Sequence, residues 1–312
     1  MTASTLRALQ IGSRTFEWGS RTYVMGIINV SPESFAGDGI ERVDDAVRQA
    51  EGFVAEGADI LDVGGQSTRP GFDEISVEEE VRRVIPVIER IAERVDLPVS
   101  IDAYRREVAE AALDAGACML NDIWGFRHDP GLAVLAARRG VPTVVMHNQR
   151  GREFEDVIGD IRRGLNESIK IAERSGMPRD HLIVDPGFGF GWTVEQNLEM
   201  LRRLAELRSL GLPILVGTSR KSTIGAVLDK PVEDRLFGTA ATVAVSIASG
   251  AAIVRVHDVA EMAQVARMTD AIVRPPASRA PRETVALPPQ ATATARIGSP
   301  SLPAERGMGG EV

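Results

Sequence analysis

Eight short apolar runs punctuate the chain: YVMGIIN (23–29), DILDVGG (59–65), PVSIDA (98–103), ACMLND (117–122), PTVVMH (142–147), LIVDP (182–186), PILVGT (213–218) and AIVRVHD (252–258). Each is nearly continuous rather than alternating, the pattern of a strand covered on both faces in a parallel sheet. Between the runs the apolar spacing changes to three and four. That spacing predicts helices over 43–56, 77–94, 106–115, 130–139, 157–175, 195–210, 232–249 and 259–273. Gly57, Gly116, Gly140, Gly176, Gly211 and Gly250 each stand between a helix and the next run, where a left-handed terminator is needed. Eight strand–helix units in this length predict a (β/α)8 TIM barrel over residues 1–273. No GxGxxG follows the first run, which argues against a dinucleotide-binding open sheet.

Composition changes the picture at the far end. From Arg274 onward the chain has no aromatic residue and carries seven of its 17 prolines. Such a segment buries too little apolar surface to offset its ordering entropy, so 274–312 is expected to be a disordered Pro/Ala-rich tail. A formal net charge of -8 argues against a nucleic-acid or membrane-surface partner. The single Cys118 excludes an internal disulfide and suits a reducing compartment. The opening MTASTLRALQIGSRTFEW has no apolar core of signal-peptide length, and the expectation is a cytoplasmic protein.

In a barrel of this kind the chemistry gathers at the C-terminal ends of the strands. Every run here closes on a polar or ionisable group: Asn29, Asp62, Asp102, Asn121 with Asp122, His147, Asp185, Ser219 to Ser222, and Arg255 with His257. Any one of them could be a cap; a full ring points to a ligand. Carboxylates and amides (Asp102, Asn121, Asp185) are set against cations and hydroxyls (Arg69, Lys221, Ser222, Arg255, His257). That division suits a guest with a hydrogen-bond-donating heterocycle at one end and an anion at the other. The stretch LVGTSRKSTIG (215–225) looks at first like a phosphate-binding P-loop. The motif needs glycine directly before its lysine and again five residues earlier, and Arg220 and Leu215 hold those places.

Six segments, in order, carry a family resemblance: GIINVSPESF (26–35), DVGGQSTRPG (62–71), NDIWG (121–125), DPGFGFG (185–191), GTSRKS (217–222) and RVHD (255–258). Together they resemble the signature segments of the dihydropteroate synthase family, over about Thr22 to Ile272. The resemblance implies a Mg²⁺-assisted transferase of folate synthesis. It would join 6-hydroxymethyl-7,8-dihydropterin pyrophosphate to p-aminobenzoate, the substrate that sulfonamides imitate, on a homodimeric barrel. It implies pterin recognition by Asp102, Asn121 and Asp185, with Lys221 beside the pterin carbonyl and Ser222 at the p-aminobenzoate carboxylate. It assigns Asn29, Thr68, Arg255 and His257 to the diphosphate, with Asn29 also on the metal, and places Phe35, Arg69 and Pro70 around p-aminobenzoate. Ile123, Met146, Phe190, Gly217 and Val256 would line the pocket. The catalytic roles fall on Lys221, Asp102 and Arg255.

The chain departs from the family pattern in several places. Gly37 stands at an acidic position of the first loop, with Asp38 one place later; Gln66 replaces a glutamate and Ala103 a threonine. Trp192 stands at a frequent lysine, and His147 lies in a shortened loop and is expected to be structural. Rival readings at this point are a non-catalytic or slow pterin-binding paralogue, a methyltetrahydrofolate-dependent methyltransferase, and an aldolase using Lys221 as a Schiff base.

Overall fold

The computed structural model describes residues 6–30, 39–66 and 74–274. Phe35, Gly37, Asp38, Thr68, Arg69, Pro70 and residues 275–312 lie outside them. The chain opens with a hairpin of β1 (Leu9–Ile11) and β2 (Arg14–Phe16). Strand and helix then alternate: β3 (Tyr23–Asn29), α1 (Gly39–Glu56), β4 (Ile60–Gly64), α2 (Val77–Arg94), β5 (Val99–Asp102), α3 (Arg106–Asp114), β6 (Met119–Asp122) and α4 (Gly131–Arg139). The second half runs β7 (Thr143–Met146), α5 (Val157–Arg174), β8 (Leu182–Asp185), α6 (Val194–Arg203), β9 (Leu215–Val216), α7 (Ser222–Leu228), α8 (Leu236–Ala248), β10 (Ile253–Val256) and α9 (Val259–Val273).

The eight strands β3 to β10 form one parallel sheet in the order β8-β7-β6-β5-β4-β3-β10-β9. Its two edges meet: the Val184 amide donates to the Pro213 carbonyl at 2.9 Å, and Val184 bridges Ile214. The sheet is therefore a closed barrel, as the eightfold alternation predicts.

Side chains two apart on a strand share a face, and that rule builds the site. The inward positions Ile60, Met119, Ile183 and Ile253 belong to one buried apolar cluster together with Leu9, Ile11 and Phe16 of the hairpin. The hairpin thus stoppers the lower end of the barrel. Two residues further along the same strands, the inward positions become Asp62, Asn121, Asp185 and Arg255. A second, larger cluster fills the space between sheet and helices, with Val63, Ile101, Leu120, Val184 and Val254 facing outward against helix residues such as Ile88, Leu132 and Ile161. Apolar contact on the outer face and on the lower inner face leaves the upper inner face to carry polar groups.

Several boundaries differ from the periodicity. The hairpin and α7 have no counterpart in the predicted elements. The helix expected over 195–210 is α-helical only to Arg203 and tightens into a 3-10 helix over Leu204–Leu210. The one expected over 232–249 breaks at Arg235 (φ -94, ψ 9), whose guanidinium bonds the carbonyls of Lys230 and Arg220. Strand β9 is two residues long, with Pro213 shortly before it and a left-handed residue, Arg220 (φ 57), shortly after it.

Candidate active site

Register sets the heights of the polar residues. Asn29 pairs with Gly64, Gly64 with Asp102, and Asp102 with Asn121, so four neighbouring strands end in one tier. At its centre is Arg255. Its Nε donates to Asp62 Oδ2 at 2.6 Å and its terminal nitrogen to Asp102 Oδ2 at 2.8 Å. Asn121 Nδ2 donates to the same Asp62 oxygen at 2.9 Å. Asp62 is fully buried, and its Oδ1 has no hydrogen-bond partner among the described residues. Two carboxylates thus share one guanidinium, with Asp62 fully buried and Asp102 partly exposed. Burial pushes Asp102 up, Arg255 draws it down, and the Asp62 charge pushes it up again. A strict division of the ring into an acidic half and a cationic half is not what the structure shows; Arg255 sits among the acids. Asp62 orients both Arg255 and Asn121, a role the strand-end reading did not assign to it.

The loop after β8 presents a second charged pair. Asp185 accepts the Gly187 amide at 2.7 Å. Burial raises its proton affinity, opposed chiefly by the field of Lys221. Lys221 donates to the Phe188 carbonyl, and its Nζ stands 4.6 Å from the Phe190 ring centroid. Desolvation lowers its pKa to about 8 despite the Asp185 charge. The lysine stem passes over Gly189, where an added Cβ would lie 2.9 Å from Lys221 Cδ.

GTSRKS and RVHD run side by side at the mouth. Gly217 packs beside Arg255, whose Cβ would be 3.6 Å from a Cβ placed there, an ordinary contact. Ser219 Oγ lies 3.0 Å from His257 Nδ1, and Arg220 forms an ion pair with Asp258, its Nε at 3.0 Å. Arg220 is therefore a rim ion pair. Ser222 is exposed at the start of α7. Ile123 (5% exposed) and Met146 (3%) join Tyr104, Trp124 and Phe190 in a small apolar cluster. Tyr104 and Ile123 follow the tier residues Asp102 and Asn121 by two positions along the chain, and Val256 is buried in β10.

The departures at Gln66, Ala103, Trp192 and His147 have physical accounts. Gln66 Oε1 accepts from Arg105 at 2.8 Å, and the same guanidinium donates to the Ile75 carbonyl at 2.6 Å and pairs with buried Glu80. Ala103 packs into the outer core. His147 is fully buried, its Nε2 is 2.8 Å from Gln149 Oε1, and burial drives its pKa down to about 4. Trp192 packs against that imidazole, ring centroids 5.7 Å apart. His147 is a core histidine, as expected.

A closed barrel whose mouth sets an apolar cluster beside buried carboxylates and cations suits a pterin-binding class of enzyme, and the family model described as pterin binding enzyme matches residues 25–257. A dihydropteroate synthase of Clostridium beijerinckii is 49% identical over 268 residues, 85% of this chain and 100% of that relative. A structure of the Xanthomonas albilineans dihydropteroate synthase with 4-aminobenzoic acid aligns with TM-score 0.82 at 40% identity, covering 86% of this chain and 98% of that one. The same bacterial enzyme in complex with 7,8-dihydropteroate aligns with TM-score 0.78 at 39% identity, over 85% and 98% of the two chains. The chain belongs to the dihydropteroate synthase family.

Proposed function

We propose that this chain condenses 6-hydroxymethyl-7,8-dihydropterin pyrophosphate with p-aminobenzoate, giving 7,8-dihydropteroate and pyrophosphate. The observation that carries this reading is the barrel-mouth tier in which Arg255 is held by Asp62 and Asp102 while Lys221 stands in the field of Asp185. Membership of the dihydropteroate synthase family sets this reading above a methyltransferase or a Schiff-base aldolase.

In this reading the pterin lies against Ile123, Met146 and Phe190, with its amino and ring N–H groups toward Asp185 and Asp102. Asn121, oriented by Asp62, meets the same edge. A buried carboxylate receiving paired N–H donors makes short charge-assisted bonds, and an analogue without those donors leaves it unpaired. Lys221 donates toward the pterin carbonyl. Thr68, Arg255 and His257 take the diphosphate; Phe35, Arg69, Pro70 and Ser222 enclose p-aminobenzoate, with Gly217 and Val256 leaving space beneath.

The C–O bond breaks first and its electron pair leaves with the diphosphate. The methylene becomes a cation delocalised into the pterin ring. The neutral aniline nitrogen then forms the C–N bond, and its surplus proton passes to the departing diphosphate or to water. No strong general base is needed. Arg255 supplies fixed positive charge where the leaving group becomes more anionic. Excluding water protects the cation from hydrolysis.

The family resemblance implies Mg²⁺. Asn29 ends β3 half-buried and offers one neutral amide oxygen. Among the described residues no group of three or more His, Cys, Asp or Glu side chains could hold a metal ion. That sparse donor set fits Mg²⁺, which keeps several waters and binds through one or two protein oxygens plus the phosphates of a substrate. Bound there, the ion would neutralise part of the diphosphate charge.

The assembly we infer is a homodimer. Val227, Phe237, Val245, Met268 and Ile272 are exposed apolar side chains on α7, α8 and α9. A cytoplasmic location suits the free Cys118. Among the described residues no helix is long and apolar enough to cross a membrane. Residues 1–273 suffice for the reaction, and 274–312 lie outside it. The deciding experiment incubates purified protein with both substrates and Mg²⁺ and scores pteroate; a pterin that binds without turnover would instead establish the non-catalytic paralogue.

A further inference from the structure

Ser100 stands two residues before Asp102 on β5, so its side chain enters the barrel on the same face. In the sheet it pairs with Asp62 of β4 on one side and with Met119 of β6 on the other. Met119 belongs to the apolar cluster that stoppers the lower barrel, which leaves Asp62 as the polar neighbour of Ser100 at this height. Both Ser100 and Asp62 are fully buried. Asp62 Oδ2 accepts from Arg255 at 2.6 Å and from Asn121 at 2.9 Å, but Asp62 Oδ1 has no partner among the described residues. The Ser100 hydroxyl has none either, so the two oxygens do not bond each other directly. Leaving both unmet would cost the full desolvation of a hydroxyl and of half a carboxylate. Neighbouring strands lie about 4.8 Å apart, and a water bonded at about 2.8 Å on each side spans two oxygens up to about 5.6 Å apart. A polar pair walled by apolar side chains is the setting that holds a buried water.

We propose that one buried water bridges Ser100 Oγ and Asp62 Oδ1 beneath the site, and that Ser100 acts through it as a positioning residue for Arg255 and Asn121. The water accepts the Ser100 O–H and donates to Oδ1, so the hydroxyl and the carboxylate oxygen are both met. A carboxylate held from one oxygen alone can turn about its Cβ–Cγ bond; held from both, it keeps a single plane. Asp62 Oδ2 then presents Arg255 and Asn121 at a fixed angle. That these two groups meet the pterin diphosphate rests on the reading of the site given above; the water itself does not.

The test begins with a crystal structure of the full chain at a resolution that orders internal waters. One water is expected within about 3 Å of both Ser100 Oγ and Asp62 Oδ1. In Ser100→Ala that water loses an anchor, and binding of 6-hydroxymethylpterin, read by calorimetry, weakens about tenfold. In turnover the same variant loses about tenfold in kcat/KM for the pterin diphosphate, with the KM for p-aminobenzoate unmoved. Placed in an Asp62→Asn background, Ser100→Ala costs less than about twofold more, because a residue that acts through Asp62 is coupled to it. A side chain that only supports the fold would give additive losses. Direct contact between the two oxygens, no water between them, or additive effects overturns the proposal. Should Ser100→Ala fail to fold by circular dichroism, the wild-type crystal decides the water, and Ser100→Cys, whose thiol is a weak donor, must weaken pterin binding in the same sense. A wild type that holds the water but makes no pteroate would sink the functional reading and leave the water standing.

Discussion

Arg255 and Asp62 are 193 residues apart in sequence, yet the guanidinium Nε lies 2.6 Å from the Asp62 carboxylate, which also accepts the Asn121 amide. Asp62 is fully buried and reaches both Arg255 and Asn121 from one oxygen. Asp62→Asn keeps the shape and removes the charge, leaving Asp102 as the only carboxylate on Arg255. Misplacing reacting groups by an ångström costs about 100-fold, so kcat/KM for the pterin diphosphate should fall by about that factor. The KM for p-aminobenzoate should stay within about twofold, since a twofold change is only a few tenths of a kcal/mol. Near-wild-type kinetics in Asp62→Asn would show that Asp102 suffices to hold Arg255.

Gly189 and Gly187 separate function from folding on one loop. Gly189 (φ 83) faces Lys221 Cδ, the middle of a flexible side chain. Gly187 (φ 77) faces the backbone carbonyl of His147, which cannot step aside. Gly189→Ala should fold, with about 1–2 kcal/mol lost to the left-handed backbone, and lose at least about tenfold in turnover as Lys221 is displaced. Gly187→Ala should yield little folded protein. Thermal unfolding and turnover, measured on both, check this; the reverse ranking would mean Lys221 is not held by the Gly189 contact.

Lys221 is expected to set an alkaline limit to activity. Desolvation brings its pKa to about 8, so in the free enzyme the ammonium is lost as pH rises through that value. The pH profile of kcat/KM reports free-enzyme groups and should fall above about pH 8. Lys221→Arg carries a charge that does not titrate there, and its residual activity should lack this limb. Asp185→Asn removes the charge that supports the ammonium, so its limb should move to lower pH. For stability the sign is opposite. Between about 8 and the ordinary 10.5 the unfolded chain holds the extra proton, so Lys221 makes stability rise with pH there. An unchanged alkaline limb in Lys221→Arg would assign it to another group.

The fold was legible because its signal is repeated. Eight apolar runs, each ended by a polar residue, fix both the barrel and the end of it that bears chemistry. Asp185 and Lys221 could be picked out on that ground alone. Asp62 could not be given its role, because DILDVGG shows an aspartate inside a strand and nothing in it names a partner near the other end of the chain. Ser219 was hidden likewise; its bond to His257 exists only once β9 and β10 are neighbours. The hairpin strands are three residues each, too short for a period to register. Helix α7 has seven residues and was absorbed into the loop that bears Lys221.

The outer face bears on assembly. Phe237 is 85% exposed at the start of α8, and Met268 (64%) and Ile272 (68%) stand on α9. Helix α7 packs against α8, where Ile224 and Leu228 leave no room for a Cβ at Gly238. Val227 (55% exposed) and Leu228 (44%) bring further apolar surface to the same group of helices. Aromatic side chains that reach the centre of an interface commonly contribute 2 kcal/mol or more, so Phe237→Asp should weaken self-association at least about 30-fold. Sedimentation should show a wild type of twice the 33.6 kDa chain mass and a variant shifted toward one chain. Val134→Asp, at a 45% exposed position on α4, should leave the assembly unchanged. A wild type that sediments as a single chain at micromolar concentration would remove the dimer, and equal effects of the two aspartates would place the contact on another face.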